Sequence, residues 1–252
     1  MIIPVKTMKN QTLPLFTLLL LAACSQPAPE TTPPPAPAPD TLATKPVERP
    51  AIVPPADAKI TLVAEHPDGS KSTGQVVIAM SKKPISAVRL VPRPAPVGAE
   101  IREALEQADL ICVGPGKIHT EVLPNLLVPG MVAAVNASRA PVLCVANLMT
   151  EPGQTEGFTL SDQIRILRDL SCGLDLDMIL APSDQIDEGQ RRCYAESGSV
   201  PIVVLDEDQI DGLPLHRADL LEPGEKVRHS PTRLATAVLD CLDILRRKGR
   251  GA

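Results

Sequence analysis

From residue 59 onward, apolar and polar positions follow short regular patterns, and their period changes along the chain. "KITLVAEH" (59–66) alternates and is rich in β-formers, and "PDGS" (67–70) carries a turn signal, so a strand and a turn are predicted. "GQVVIAM" (74–80) and "ISAVRLV" (85–91) read as two further strands, separated by Lys82-Lys83-Pro84. The period then lengthens. Within 97–108, Ile101, Ala104, Leu105 and Ala108 share one face of an amphipathic helix. A strand at 109–113 runs into a glycine loop, and "PGMVAAVNAS" (129–138) reads as a helix with Pro129 near its first turn. "PVLCVAN" (141–147) reads as a buried strand that breaks at Asn147 into a second loop. Thr159, with Asp162 three residues on, predicts a capping box opening a helix over 160–170. A strand at 176–182, a helix at 187–197, a strand at 201–208 and a final helix from Ser230-Pro231 complete the series. Strand and helix thus alternate after residue 97. That order predicts an α/β fold, a doubly wound and mostly parallel sheet with helices on both faces.

The first 57 residues follow no such pattern, so the chain divides into a head (1–24), a linker (25–57) and an α/β domain (58–252). Lys6 and Lys9 precede "LPLFTLLLLAA" (13–23), an apolar run of 11 residues with the length of a signal-peptide core, too short to span a bilayer. It ends in "LAAC" (21–24), which resembles the bacterial lipobox and makes Cys24 a candidate lipidation site and lipid anchor. Met8 is a second candidate start. A genuine signal here implies a membrane-anchored lipoprotein. The linker, with "PAPETTPPPAPAPD" at its densest, holds too little apolar surface to order itself and reads as a tether biased towards polyproline geometry.

Composition narrows the function. The net charge is −5, no long basic run is available to follow a phosphate backbone, and there is no Trp, one Tyr and two Phe to stack on bases. Nucleic acid is therefore not an expected partner. Of six cysteines, five (Cys112, Cys144, Cys172, Cys193, Cys241) lie after the linker with no metal-ligand spacing, and they read as buried free thiols suited to a reducing compartment.

The two loops carry the candidate chemistry. In open parallel sheets, ligands collect beyond the carboxyl ends of strands, and the loops 114–125 and 147–157 both leave strands in that direction. Gly114 and Gly116, on either side of Pro115, let the backbone approach a ligand closely, and the segment after them would aim N–H groups at an anion. Thr120, Asn125, Asn147, Thr150 and Thr155 add uncharged donors and acceptors, with Gly153 in the second loop. The set suits a phosphate or a nucleotide sugar rather than a metal. A P-loop is excluded because its first glycine and its Ser/Thr would fall on Ile111 and Ile118. His119 and Glu121 read either as an acid–base pair or as solvated loop residues. Glu151, Glu156 and Asp162 have no spacing that compels a divalent cation, and Asp206, Glu207 and Asp208 read as a solvated acidic turn.

Three blocks together, "AxxxADLICVGPG…T…LPNLLVPG", "VANLMTEPGQTEGFTLSDQI" and "LDMILAPSD", resemble the gluconeogenesis-factor family, related to 2-phospho-L-lactate transferase through a CofD-like fold. The resemblance covers roughly residues 58–246. Its matches fall on Gly114, Pro115, Gly116, Thr120, Pro124, Asn125, Asn147, Met149, Thr150, Pro152, Gly153 and Thr155. It implies a nucleotide-binding fold holding a nucleotide sugar such as UDP-N-acetylglucosamine, a role in cell shape and wall-precursor supply, a cytoplasmic location and no chemistry of its own. The transferase relatives imply a phosphoryl-group transfer with a divalent cation instead. Departures lie in or beside the implied pocket. Lys117 stands where the family pattern has Ser or Thr, His119 where it has an aromatic, Glu121 where it has Ser, and Gln154 and Gln163 where it has an acidic residue and a His. The family's glycine-rich opening segment has no counterpart here. That leaves a sheet edge expected to need a homo-oligomer mate or another partner to cover it. A nucleotide-sugar-binding regulator, a tethered exported domain without nucleotide binding, and a transferase all remain open.

Overall fold

The structure is a computed structural model and describes residues 2–5, 60–183, 186–195, 200, 210 and 212–249. In chain order its strands are β1 (Ile2–Val5), β2 (Thr61–Glu65), β3 (Lys71–Thr73), β4 (Ala87–Val91), β5 (Leu110–Val113), β6 (Val142–Val145), β7 (Met178–Pro182) and β8 (Leu215–Ala218). Its helices are α1 (Gln75–Ser81), α2 (Ala99–Glu106), α3 (Leu123–Leu126), α4 (Met131–Asn136), α5 (Leu160–Ser171), α6 (Glu188–Ala195) and α7 (Pro231–Gly249), with a π-helical turn at Ile118–Val122 running straight into α3.

The main sheet has the order β1-β5-β6-β7-β8, parallel except where β1 joins. Strands β5 and β6 are buried along their whole length, as is β7 up to Pro182, because helices cover both faces. Alternate residues point to opposite layers. Ile111, Val113, Cys144 and Ile179 face a cluster with Leu105, Met131, Leu160, Ile164 and Leu167. Leu110, Cys112, Leu143 and Leu180 face α7 through Leu234, Val238, Cys241 and Leu242. Cys112, Cys144 and Cys241 are buried free thiols whose burial pushes each up to about 12, whereas Cys172 and Cys193 are exposed. The α5 capping box forms as expected, with the Thr159 side chain accepting from the Asp162 amide and the Thr159 amide donating back to the Asp162 carboxylate.

A second sheet, β3-β2-β4, is antiparallel and buries Leu62, Ala64 and Val88 in the first of these clusters. Here the expected strand at 74–80 is instead the helix α1. Gly74, at φ 93, donates to the Leu62 carbonyl at 2.7 Å and turns the chain off the β2 edge after the short β3. Beyond it only Ile78 is buried, while Val76, Val77 and Met80 are exposed, so helical packing of one residue overrides the β-propensity of Val-Val-Ile.

The free edge of β5 is also different from expectation. β1 lies on it antiparallel, from Ile2↔Val113 to Val5↔Leu110, with Ile2 packed on one cluster and Ile3 and Val5 on the other. The first residues of the head thus form the edge strand. The apolar run 13–23, Cys24, the tether and the expected strand 201–208 with its acidic turn lie outside the described residues. Strand β8 is an addition that the sequence pattern did not indicate. Among the described residues no helix is long and apolar enough to cross a membrane.

Candidate functional site

Because β5 and β6 are adjacent and parallel, the loops leaving their carboxyl ends emerge side by side. The first loop turns at once. Gly114 sits at φ 87, and a Cβ there would lie 2.7 Å from the Val145 carbonyl oxygen at the end of β6. Asn147, just past β6, then clamps the first loop from the side. Its Oδ1 accepts from the Gly116 amide at 3.0 Å and its Nδ2 donates to the Gly116 carbonyl at 2.9 Å. This reciprocal pair satisfies both backbone polar groups of one residue and both ends of one side-chain amide, and it fixes the two loops to each other.

Beyond the clamp the chain winds into the π-helical turn. The Lys117 amide donates to the Glu121 carboxylate at 3.1 Å, so with Gly116 held by Asn147 the first two amides of the loop are occupied from within the chain. The expected display of N–H groups to an anion therefore does not begin at Gly116 or Lys117. The Lys117 ammonium lies 3.4 Å from Glu151 and bridges the two loops on their half-exposed rim.

Behind that rim the turn buries polar side chains. His119 is 1% exposed and Thr120 5%, and neither the two ring nitrogens nor the hydroxyl has a partner among the described residues. On α5, Gln163 is 4% exposed; its Oε1 lies 3.4 Å from the Asn147 amide, and its Nε2 is unpartnered. From the α7 side, His229 is hydrogen-bonded to the backbone of Ala146 and its Nε2 is also unpartnered. Burial lowers both histidines to about 4, so both are neutral near pH 7. Leaving a buried polar group unsatisfied costs about 1–3 kcal/mol. Several such atoms lie in and beside the segments that follow β5 and β6, and groups of this kind are met by a ligand or by ordered water.

The structure therefore sorts the candidate residues. Gly114, Pro115, Gly116 and Asn147 come together at the carboxyl edge, and Thr120 is buried in the turn that follows. Asn125 does not join them; its Nδ2 donates to the Glu121 carbonyl one helical turn back. Thr150 pairs through its amide and hydroxyl with Val200, and the Thr155 hydroxyl accepts from the Glu151 amide at 2.8 Å. Gly153 backs onto Lys82 at the end of α1, where a Cβ would collide with the Lys82 carbonyl. These three brace the second loop. His119 and Glu121 are not an acid–base pair, and His119 is not solvated, since it is buried while Glu121 is exposed and turned to the Lys117 amide. His119 and Gln163 enter the sequence reading as departures from the family pattern beside the implied pocket, not as ligand-binding residues, and His229 does not enter it. The helical spacing of Ile118, Val122, Leu123 and Leu126 around His119 was the available signal for its burial.

The carboxylates do not fit a divalent cation. Glu151 faces Lys117, Glu156 accepts from the Gly153 amide at 3.3 Å, and Asp162 is held by Thr159 and Arg165, the Thr159 amide keeping its carboxyl below the usual range. Among the described residues no three His, Cys, Asp or Glu side chains group as metal ligands.

Comparison with known proteins places this geometry in context. Residues 43–221 match the family described as 2-phospho-L-lactate transferase CofD. The chain is 34% identical over 193 residues to the gluconeogenesis factor of Halalkalibacterium halodurans, covering 75% of this chain and 59% of that protein. It is 36% identical to a putative gluconeogenesis factor of Deinococcus radiodurans (76% of this chain, 41% of that protein). It is 31% identical to the gluconeogenesis factor of Bacillus subtilis (76% and 61%). The chain thus spans between 41% and 61% of the length of these curated relatives. A crystal structure of a member of the UPF0052 family from Bacillus halodurans superposes with a TM-score of 0.69 at 33% identity, covering 74% of this chain and 60% of that one.

Proposed function

We propose that this chain, which belongs to the CofD family, is a nucleotide-sugar-binding regulatory protein of the gluconeogenesis-factor type. Its ligand is of the UDP-N-acetylglucosamine class, and its role lies in cell shape and wall-precursor supply during growth on gluconeogenic carbon sources. The observation that carries this reading is the Asn147–Gly116 clamp, which joins the ends of two adjacent parallel strands, with buried polar atoms nearby in sequence that have no partner among the described residues. A crevice at that position is where open α/β sheets hold nucleotides. The neutral histidines and amides favour binding over turnover, because among the described residues none there is placed as a nucleophile or paired with a base. Phosphoryl-group transfer would need carboxylates free to hold a cation, and Glu151, Glu156 and Asp162 are engaged elsewhere.

Isothermal titration of the full chain with UDP-N-acetylglucosamine tests the reading. Saturable heat at micromolar to millimolar ligand, lost in Asn147→Ala, is expected. Absence of heat at millimolar ligand contradicts it.

A further inference from the structure

We infer that His119, Thr120 and Gln163 form a recognition pocket for the neutral, hydroxyl- and amide-bearing part of the ligand, its N-acetylated sugar, and not for its phosphates. The inference rests on the reading that the crevice takes a nucleotide sugar, and it assigns one half of that ligand to named side chains.

Three observations converge on it. The first is burial without partners: all three residues are more than nine-tenths buried, and between them they carry four unpartnered atoms, His119 Nδ1 and Nε2, Thr120 Oγ1 and Gln163 Nε2. The second is placement. The π-helical turn and α5 pack on the same layer of the sheet, where Ile118 and Val122 flank His119 and Thr120, and Leu160 and Ile164 flank Gln163. Gln163 is oriented by the Asn147 amide at its Oε1, which leaves its Nε2 as a donor without a partner among the described residues. Asn147 is in turn bonded to Gly116, three residues before His119. The third is charge. Burial keeps His119 neutral, so the imidazole offers one donor and one acceptor, the Thr120 hydroxyl either, and Gln163 a donor. A set with no net charge matches hydroxyls and an acetamido group, whereas a phosphate buried against it would lack a counter-charge. The charged residues near the clamp, Lys117, Glu121 and Glu151, are on the rim or exposed, where phosphates would stay in contact with water.

The test compares UDP-N-acetylglucosamine with UDP by titration into the full chain, using wild type, His119→Phe and Gln163→Met. Wild type is expected to prefer the sugar-bearing ligand by at least ~10-fold, since a site built around hydrogen bonds discriminates against a ligand that lacks them. Each variant is expected to bring that ratio towards one while UDP affinity stays within about threefold. The thermal midpoint of His119→Phe should hold or rise, because an apolar ring replaces unpartnered polar atoms, whereas Gln163→Met also loses the Oε1 that accepts from the Asn147 amide and should fall slightly. A ratio unchanged in both folded variants overturns the inference and leaves ordered water as the occupant, with the nucleotide-sugar reading intact. Wild type binding UDP and the sugar nucleotide equally also overturns it. Wild type binding neither overturns the nucleotide-sugar reading itself, and the sugar pocket with it.

Discussion

The two loops at the carboxyl edge contain the same kinds of residue but use them in opposite ways. In the second loop, Thr150 is tied to Val200, Thr155 to the Glu151 amide and Gly153 to the back of Lys82, so its polar groups are satisfied by the chain. In the first, Gly116 is held by Asn147, but just beyond it His119 and Thr120 are buried with no hydrogen-bond partner among the described residues. One loop is a brace, and the other keeps buried hydrogen-bonding capacity unused. Small polar residues next to glycines do not by themselves mark a site; whether their hydrogen bonds are already made distinguishes the two cases.

The harshest way to break this contrast is at the brace. Gly153→Ala should destabilise the fold by about 3 kcal/mol, since the residue sits at φ 72 and its Cβ would strike the Lys82 backbone. A urea titration reads that effect, and a change below ~1 kcal/mol would show that the second loop is free to move. Asn147→Ala removes both bonds of the clamp and leaves the Gly116 peptide unsatisfied, which should cost about 2 kcal/mol and abolish ligand heat. Loss of stability without loss of binding would make the clamp structural only.

Acid sharpens the comparison from the other side. His119 and His229 titrate at about 4 in the folded chain because they are buried, below the ordinary histidine value of 6.5. Below pH 6.5 the unfolded chain therefore binds more protons than the folded one. The stability is fully present above pH 6.5 and declines as pH falls towards 4. Between about pH 7.5 and about pH 5.5 each histidine should remove about 1 kcal/mol, and His119→Phe should flatten the slope of urea midpoint against pH. A slope identical in that variant would place His119 in water. The smallest effect is expected on the rim, where Lys117→Ala breaks a half-exposed pair with Glu151 and should alter stability by less than about 1 kcal/mol.

How much of this the sequence disclosed depends on how local each feature is. The α5 cap was legible from Thr159 and Asp162 because a capping box lies within four residues, and β5, β6 and β7 stood out as apolar runs. β1 and β8 did not. Each is four residues long and only partly buried, Pro4 interrupts one, and His216 and Arg217 lie in the other. Val76, Val77 and Ile78 suggested a strand because β-branched residues favour one, but Gly74 had already turned the chain away from its partner. At the site, the two loops were visible as interrupted strands, and Gly116 and Asn147 were both candidates. Their direct bond joins residues 31 positions apart, and no local pattern encodes it. The burial of His119 was hidden for a similar reason. "GPGKIHTEV" reads as a polar loop until Ile118 and Val122 are seen to wind it into the core.

Hydrogen exchange of the full chain, followed with and without saturating UDP-N-acetylglucosamine, tests the contrast between the loops most directly. The account predicts that ligand slows exchange across residues 116–122 and at the start of α5, and leaves residues 150–157 unchanged. Equal protection of both loops, or protection confined to 150–157, would contradict it.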